Sequence, residues 1–418
     1  MVNENNDDKT ILKDIFTRSL ELADPAKKLE KMKFDPPLGR LFFVAVGKGA
    51  GRLAKAFFKT YKEKADGIVV IPENEKCDNL GFEVIKATHP IPSQRGLDAS
   101  LKILKAISKL GKDDLLIFCI SGGASALLPF PPEGYGLEDE IQLNKVLLSS
   151  GLSIKEMNLY RGEFSQIKGG KLALAAYPCP IINLVVSDIP GGDLSLVGSG
   201  PTFVPEMKSI ITSNLDFGSK INKFFSENKK ILVQREDQNA IVLKSVCIGS
   251  SAILLDCVRD YIEKKFEFNL LLLSSEFEGD ASSLANFHAS ILKEIKRFDR
   301  PIKKPAIIVS SGEAHVKLPK NHGRGGRNSH FALALAKEIE GVPGITALAA
   351  DTDGIDGFEK NAGAIISGDT FKVLKKRAPQ NDFLKAFDSF SAHKIASSLF
   401  YTGATGINLN DIRIAIVR

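Results

Sequence analysis

The chain has 418 residues, of which 44% are hydrophobic, and its formal net charge is +6. This length exceeds that of one typical domain and predicts two domains, each with its own core. The small positive excess is scattered without interleaved aromatic residues, which excludes a nucleic-acid-binding stripe. Because no apolar run has the length of a signal peptide or a membrane span, we expect a soluble, cytoplasmic protein without membrane partners. The sequence leaves open whether the chain forms a homodimer.

The cysteines and histidines show no metal-binding spacing. The five cysteines are widely separated, and neither a CxxC pair nor an HExxH pattern occurs. We therefore expect buried thiols, and any bound metal should be held by oxygen ligands.

Short apolar runs alternate with stretches of helical periodicity through the first half of the chain. This alternation predicts βα units and a doubly wound, Rossmann-like parallel sheet. The predicted strands are residues 41–46, 68–71, 84–87, 115–120 and 181–186. Open sheets of this kind bind ligands at the carboxyl ends of their strands, so the loops after the strands are the expected places for function.

The second half is predicted to be a separate α/β domain with a mixed sheet. A lysine-rich polar stretch separates the halves, and we place an N-terminal domain at 1–235 and a C-terminal domain at 236–418. The further strands are predicted at 245–248, 269–273, 306–310, 314–318 and 345–350. The two strands that flank residues 311–313 are close enough in sequence to form a hairpin.

The first predicted strand is followed by Gly47, Lys48 and Gly49 and then by a helical stretch. A glycine-rich turn between a strand and a helix directs N–H groups and the positive helix end at an anion, and Lys48 adds a charge. The turn is a poor dinucleotide fingerprint, because Arg52 takes the place of the third glycine. A tight turn with a solvated lysine is the alternative interpretation.

The fourth predicted strand ends in a run of small residues, Ser121, Gly122, Gly123, Ala124 and Ser125. Such a run forms a nest of backbone N–H groups that suits phosphate oxygens, although a turn that only lets a helix and a strand pack closely is equally consistent with the spacing. The run lacks the closing glycine of the GxSxG motif, which disfavours a serine hydrolase.

Aspartates follow two further predicted strands. Asp188 comes directly after the fifth strand, and Asp351 and Asp353 lie at the end of the strand predicted at 345–350 and just after it. Aspartates at strand ends are candidate magnesium ligands or bases, and Asx turns are the alternative. An EF-hand is disfavoured, because Ala362 stands at the position of its glutamate.

A glycine-rich segment follows the strand predicted at 306–310. It contains Glu313, Arg324, Arg327 and Asn328. Arginine forks bind carboxylate or phosphate oxygens in pairs, so the segment is predicted to clamp an anion, with a solvated turn as the alternative.

Further polar and positive groups stand near a predicted helix end, at Asn158, Arg161 and Lys168. Complementing the helix dipole is the alternative role for lysines at such an end. With glycine-rich turns, an arginine fork, lysines and oxygen ligands in one chain, phosphoryl transfer is the reaction class that uses every part.

A series of motifs runs through nearly the whole chain beyond residue 40. The series is GKGA from Gly47, HPIP from His89, SGGASAL from Ser121, Asn158 with Arg161, IKGGKLA from Ile167, SDIPG from Ser187, SGPT from Ser199, GRGGRN from Gly323, TDGIDG from Thr352 and TGATGINLND from Thr402. In this order the motifs resemble those of the class II glycerate 2-kinase family, whose C-terminal part carries the MOFRL motif.

The resemblance implies ATP- and magnesium-dependent phosphorylation of D-glycerate at its 2-hydroxyl, giving 2-phospho-D-glycerate, in a cleft between two α/β domains. It implies catalytic roles for Lys48 and Arg327, to which we add Asp188. We expect domain closure to bring Asp188 together with Asp351 and Asp353 around the metal. The residues expected to bind substrate or phosphate are Gly47, Gly49, Ser121, Gly122, Gly123, Ser125, Asn158, Arg161, Lys168, Glu313, Arg324 and Asn328.

Two other functions are weighed against this one. The first is a nicotinamide-dependent reductase of hydroxypyruvate or tartronate semialdehyde, which would need the intact fingerprint that Arg52 interrupts. The second is a non-catalytic sugar-phosphate-binding protein, which would leave Asp188, Asp351 and Asp353 without a role.

Overall fold

The chain folds into two units, seen in a computed structural model that describes residues 4–61, 65–189, 191–204, 215–228 and 241–418. The first unit comprises Pro25–Ile189 and Asp193–Ile248. The second unit comprises Gly249–Arg418 together with the N-terminal helix α1 (Glu4–Leu22). The boundary predicted between residues 235 and 236 lies outside the described residues. Assignment of α1 to the second unit differs from the prediction, because α1 buries Leu12 and Ile15 in that unit.

The first unit is a parallel sheet with helices packed on it. Its elements are α2 (Pro25–Lys31), β1 (Leu41–Val46), α3 (Ala50–Tyr61), β2 (Ala65–Pro72), β3 (Glu83–Ala87), α4 (Gln94–Ile107), β4 (Leu115–Ile120), α5 (Ala124–Leu127), α6 (Leu137–Ser149), α7 (Ile154–Glu163), α8 (Lys171–Ala176), β5 (Pro180–Val186), a 3-10 segment (Leu194–Ser199), α9 (Ser219–Asn228) and β6 (Ile241–Gly249).

The strand order in this sheet is β3-β2-β1-β4-β5-β6, and the first five strands in this order pair in parallel. The doubly wound prediction is therefore confirmed. From β1 and β4 the sheet grows outward in opposite directions, so the switch point lies between these two strands. All six residues of β4 are buried, as expected for an apolar strand in the middle of a covered sheet.

The second unit is built on a mixed sheet. Beside α1 its elements are α10 (Ser251–Lys265), β7 (Asn269–Leu272), β8 (Phe277–Asp280), α11 (Ala281–Phe298), β9 (Ala306–His315), α12 (Arg327–Glu338), β10 (Ile345–Asp351), β11 (Gly363–Ser367), α13 (Thr370–Arg377), α14 (Ser389–Ala396), β12 (Leu399–Phe400) and β13 (Asp411–Val417). The strand order is β12-β11-β10-β13-β9-β7, and β8 pairs with β9. Since β10, β11 and β13 pair antiparallel and β7 and β8 pair parallel to β9, the predicted mixed sheet is confirmed.

The hairpin predicted around residues 311–313 is wrong, because β9 continues without a turn through this segment. The polar pair that resembles a turn is buried, and its hydroxyls have partners. Ser310 Oγ is 2.7 Å from His288 Nε2, and Ser311 Oγ donates to the carbonyl of Asp411 at 2.6 Å. Glu313 therefore lies in a strand rather than in a loop.

None of the helices in the described ranges is long and apolar enough to cross a membrane.

Candidate active-site residues in the two units

The turns that follow β1 and β4 meet at the switch point of the first sheet. Lys48 N donates to the carbonyl of Gly122 at 2.9 Å, and Ser121 Oγ donates to the carbonyl of Lys48 at 2.8 Å. Because neighbouring parallel strands end at the same edge, the two glycine-rich motifs of the sequence become one structure. The structure thus brings Gly47, Lys48 and Gly49 together with residues 121–125.

The N–H groups of the turn after β1 already have partners within the chain. Gly47 N donates to the carbonyl of Val70 at 3.1 Å, and Gly49 N donates to the carboxylate of Glu75 at 3.0 and 3.2 Å. Burial raises the pKa of Glu75, although the Gly49 N–H and Lys48 act in the opposite direction. At this helix end a carboxylate of the chain itself therefore accepts the Gly49 N–H, and binding of a phosphate there stays a prediction.

Lys48 is half-buried beside the turn after β4, and its ammonium group has no hydrogen bond or ion pair among the described residues. The ring of His89, from the loop after β3, lies near it. A β-carbon added to Gly123 would be 3.1 Å from His89 Nε2 and 3.6 Å from Lys48 Cγ. Burial, and then Lys48, lower the pKa of His89. The HPIP motif was the sequence signal for His89, which the predicted site residues omit.

The nest of residues 121–125 retains backbone donors. Among the described residues, the N–H groups of Gly122 and Gly123 form no hydrogen bond, and Gly123 has the positive φ of +82° that favours glycine. The carboxylate of Asp188, directly after β5, packs against Gly122 so closely that a β-carbon there would overlap it. Lys48, Asp188 and two unused N–H groups therefore lie at one edge of the sheet.

Ser125 connects the nest to α7 through a hydrogen-bonded chain. Its hydroxyl is 3.1 Å from Ser199 Oγ, which donates to Asn158 Oδ1 at 2.9 Å. Arg161 Nη1 donates to the same oxygen at 3.3 Å, and its Nε donates to Asn144 Oδ1 at 2.8 Å. Burial lowers the pKa of Arg161, although Glu140 acts to raise it. The structure thus links three of the predicted residues, Ser125, Asn158 and Arg161, in one network.

Lys168 is not part of that network. Its side chain is only 1% exposed and forms an ion pair with the buried carboxylate of Glu140. Its ammonium group is therefore already paired with a carboxylate of the chain.

In the second unit Arg327 is the first residue of α12 and lies among three carboxylates. Its Nε donates to Asp411 Oδ1 at 2.9 Å, its Nη2 donates to Asp351 Oδ2 at 3.0 Å, and its Nη1 donates to Glu313 Oε1. We name these four residues the Arg327 cluster. Burial acts to lower the pKa of Arg327, but the surrounding carboxylates raise it above its usual value. The side chain keeps 27% exposure, so part of it reaches the surface.

Asn328 lies behind Arg327 and is fully buried. Its Nδ2 donates to Asp411 Oδ1 at 2.6 Å. The backbone N–H groups of Asn328 and Ser329 donate to the two oxygens of Asp356 at 2.9 and 2.7 Å, so Asp356 caps α12 from another loop. Burial raises the pKa of Asp356 to about 6, although these hydrogen bonds oppose the rise. Asp356 and Asp411 are site residues that the sequence reasoning missed, although both stand in motifs quoted above.

Of the three aspartates predicted as metal ligands, Asp351 is the last residue of β10 and Asp353 follows it closely. Asp353 N donates to Asp351 Oδ1 at 3.0 Å, and Asp353 Oδ1 accepts from the N–H of Ile355 at 2.8 Å. Burial and the neighbouring Asp411 and Asp353 raise the pKa of Asp351 well above its usual value. Across the described residues, no three His, Cys, Asp or Glu side chains are grouped as metal ligands.

Arg324 contacts residues outside the Arg327 cluster. Its Nε and Nη2 donate to the two oxygens of Glu359, each at 2.8 Å, and its guanidinium group lies 4.5 Å from the ring centre of Phe390. The predicted pair of clamping arginines is thus divided, and only Arg327 contacts Glu313.

The fold and these residues define a two-unit α/β protein with charged groups at strand ends. The profile of the "Domain of unknown function (DUF4147)" matches residues 11–215, and that of the "MOFRL family" matches residues 306–411. The sequence is 34% identical to "D-glycerate 2-kinase" of Thermotoga maritima over 98% of both chains. It is also 34% identical to a "Putative hydroxypyruvate reductase" of Agrobacterium vitis over 98% of this chain and 94% of that one.

A crystal structure titled glycerate kinase from Thermotoga maritima superposes with a TM-score of 0.86 at 33% identity, covering 98% of this chain and all of the other. The chain therefore belongs to the class II glycerate 2-kinase family, whose C-terminal part carries the MOFRL motif.

Proposed function

We propose that the protein transfers the γ-phosphoryl group of ATP, with magnesium, to the 2-hydroxyl of D-glycerate and that residues of both units act in this reaction. The product is 2-phospho-D-glycerate. Family membership supports the choice of glycerate and of a phosphotransferase reaction. The cleft between the units as the place of reaction, a cytoplasmic location and a homodimer stay predictions.

The strongest support comes from the switch point of the first sheet. The ammonium group of Lys48 forms no hydrogen bond or ion pair with a described residue, and Lys48 Cγ lies near Gly123. The N–H groups of Gly122 and Gly123 donate to no described acceptor. A half-buried cation and two unused donors favour an anionic ligand, and phosphate oxygens can accept from all three. We therefore assign the transferred phosphoryl group to this edge, where Lys48 stabilises the charge that develops on it.

Arg327 supports a second anion contact. A guanidinium group has five N–H donors, and the three carboxylates of the Arg327 cluster accept one each from Nε, Nη1 and Nη2. One donor on each terminal nitrogen is left, and we propose that these two bind a carboxylate or a phosphate as a fork. The glycerate carboxylate and a phosphate of ATP are both candidates for this fork.

Magnesium fits this set of residues if the nucleotide supplies part of its ligands. Magnesium usually binds through one or two carboxylates together with substrate phosphates and waters, so a group of three protein ligands is not needed. Asp188, which lies against the nest, and Asp351, whose pKa is raised by burial and then by the neighbouring Asp411 and Asp353, are the carboxylates that would hold the ion. When bound, magnesium neutralises charge on the phosphates.

The proton of the 2-hydroxyl must leave as the new phosphate ester bond forms. Asp188 is the candidate base of the first unit, because its carboxylate lies beside the proposed phosphoryl position. It would serve instead as a magnesium ligand if a water or a phosphate oxygen takes the proton. The dependence of its variants on magnesium separates these two roles.

The reductase alternative is favoured by the name of the Agrobacterium vitis relative. Glu75 disfavours the reductase. A dinucleotide would place its pyrophosphate at the N-terminus of α3, where the negative carboxylate of Glu75 already accepts the Gly49 N–H. Arg52 also takes the place of the third glycine of the fingerprint.

The proposal is tested with the purified protein, D-glycerate, ATP and magnesium in an assay that couples ADP release to a chromophore. Phosphorus NMR of the product then identifies which carbon carries the phosphate. ADP release that depends on D-glycerate, with the phosphate on the carbon of the 2-hydroxyl, is expected. The same protein with hydroxypyruvate and NADH or NADPH provides the matched test of the reductase. Oxidation of NADH or NADPH there, without D-glycerate-dependent ADP release, would overturn the proposal, and phosphate on another carbon would correct it.

A further inference from the structure

The Arg327 cluster continues inward through Asp411 to a second arginine, Arg413, two residues further along β13. The side chain of Asp411 is fully buried, and that of Arg413 is 3% exposed. Asp411 Oδ1 accepts from Arg327 Nε at 2.9 Å, and Asp411 Oδ2 accepts from Arg413 Nη2 at 3.1 Å and from the N–H of Ala314 at 3.2 Å. One carboxylate thus joins two arginines inside the second unit.

Stability alone does not account for this arrangement. A buried ion pair gains little over well-packed apolar side chains, because both charges lose their hydration. Arg413 adds to this cost, since its Nε and Nη1 are buried without a hydrogen-bond partner among the described residues, although its guanidinium group lies 5.2 Å from the ring centre of Phe331. On the same face of β13, the next two positions are the apolar Ala415 and Val417, which pack in the core. The strand therefore carries charge only where it reaches Arg327.

Asp411 is also the most fully buried of the three carboxylates of the cluster. It is part of β13, where it pairs with Asp351 of β10 and Gly312 of β9. Glu313 has a side chain that is 47% exposed, and it contacts a single nitrogen of Arg327. Since Asp411 holds Nε, it fixes the plane of the guanidinium group and the direction of the two remaining donors.

We infer that Asp411 is the positioning residue for Arg327, holding its Nε so that the remaining Nη1 and Nη2 donors face an oxyanion of the substrate. Arg413 serves to balance the charge of Asp411 within the core. The inference rests on the proposed function only in taking Arg327 to contact the substrate.

The test compares two variants that break the same buried ion pair. Asp411→Asn removes the charge that holds Arg327, whereas Arg413→Met leaves the contact between Asp411 and Arg327 in place. We expect Asp411→Asn to lower kcat/KM by about 10- to 100-fold, which corresponds to one hydrogen bond between charged groups. Arg413→Met should keep kcat/KM within about threefold of the wild type, at a comparable loss of thermal stability.

A double-variant cycle gives a readout that a merely structural role would not produce. If Asp411 acts through Arg327, Asp411→Asn should cause no further loss of kcat/KM in an Arg327→Ala background. The parameter that Arg327→Lys changes, kcat or the KM for glycerate, should also be the one that Asp411→Asn changes. Equal losses in Asp411→Asn and Arg413→Met, or additive losses in the cycle, would overturn the inference.

Asp411→Glu keeps the negative charge and serves if Asp411→Asn does not fold. The extra methylene displaces the carboxylate, so kcat/KM should fall at least tenfold while the protein remains folded. Activity of Asp411→Glu within threefold of the wild type would contradict the positioning role. These outcomes are separate from the failure of the proposed function, in which the wild-type protein itself would not phosphorylate D-glycerate.

Discussion

The two units hold their central cations in opposite ways. In the first unit, Lys48 has no ion pair among the described residues and lies beside unused backbone donors. In the second unit, Arg327 donates to three carboxylates and is held from its buried side by Asp411. A cation without an internal partner gains most from an anionic ligand, whereas a cation that is already paired is fixed in direction. From this comparison we propose charge stabilisation for Lys48 and orientation of the substrate for Arg327.

The largest expected effect comes from Asp188, the acidic residue beside the nest. Asp188→Asn should lower kcat by about 10²- to 10⁴-fold, because an amide neither accepts the hydroxyl proton nor neutralises magnesium. The measurement is kcat at ordinary and at raised magnesium. Asp193→Asn, in the same loop after β5, is the matched control and should leave kcat near that of the wild type.

In the second unit, Asp351→Asn should regain part of its activity at raised magnesium if Asp351 only binds the ion. Partial recovery of Asp188→Asn at raised magnesium would make Asp188 a ligand rather than the base. Full activity of Asp188→Asn at ordinary magnesium would remove it from the mechanism and leave Asp351 and Asp353 as the acidic candidates.

Lys48→Ala tests the first half of the comparison. Loss of one well-placed cation at a developing phosphate charge should lower kcat by about 10²- to 10³-fold. The fold should stay intact, because no described partner of Lys48 is left unpaired. The control is Lys55→Ala on α3, which removes a lysine from an exposed pair with Asp78. Turnover of Lys48→Ala within a few-fold of the wild type, at unchanged thermal stability, would show that the unpaired lysine is only solvated.

Arg327→Lys tests the second half. An ammonium group cannot contact three carboxylates and still present a two-pronged fork, so kcat/KM should fall by about 10- to 100-fold. Arg324→Lys is the matched control from the same glycine-rich segment, and it should cost less because Arg324 is exposed and paired with Glu359. A collapse at position 324 with little change at 327 would exchange the roles of the two arginines.

The strands were largely predictable because burial leaves a direct trace in the sequence. β1 and β4 are continuous apolar runs in the middle of a covered sheet, and their predicted bounds match the structure. The prediction of a hairpin around residues 311–313 was wrong because burial left no apolar trace there. Ser310 and Ser311 are polar, but they are buried and have hydrogen-bond partners. A polar residue in a strand resembles a turn whenever its partner is distant in sequence.

The contacts of the candidate site were less predictable, because they join residues that are far apart in sequence. Arg327 and Asp411 are separated by 84 positions, and only the antiparallel pairing of β13 with β9 and β10 brings Asp411 to the start of α12. Burial of Lys168 against Glu140 likewise depends on packing that no local motif reports. Residue types and spacing predicted anion-binding motifs, but they did not show which of the charged side chains are paired within the fold.

Glu75→Gln has the smallest expected effect. It tests how far the carboxylate of Glu75, which contacts the turn after β1 and lies near Lys48, affects binding of ATP. The amide oxygen of glutamine can still accept the Gly49 N–H, so the helix end stays capped, and only the negative charge near Lys48 is lost. We expect the KM for ATP to fall, but by less than about threefold, and the free energy of unfolding to change by about 0.5 kcal/mol. Steady-state kinetics and thermal unfolding measure both, with Glu73→Gln on the same loop as the control. If Gly47 and Gly49 instead bind phosphate directly, Glu75 competes with it, and the variant should bind ATP at least tenfold more tightly.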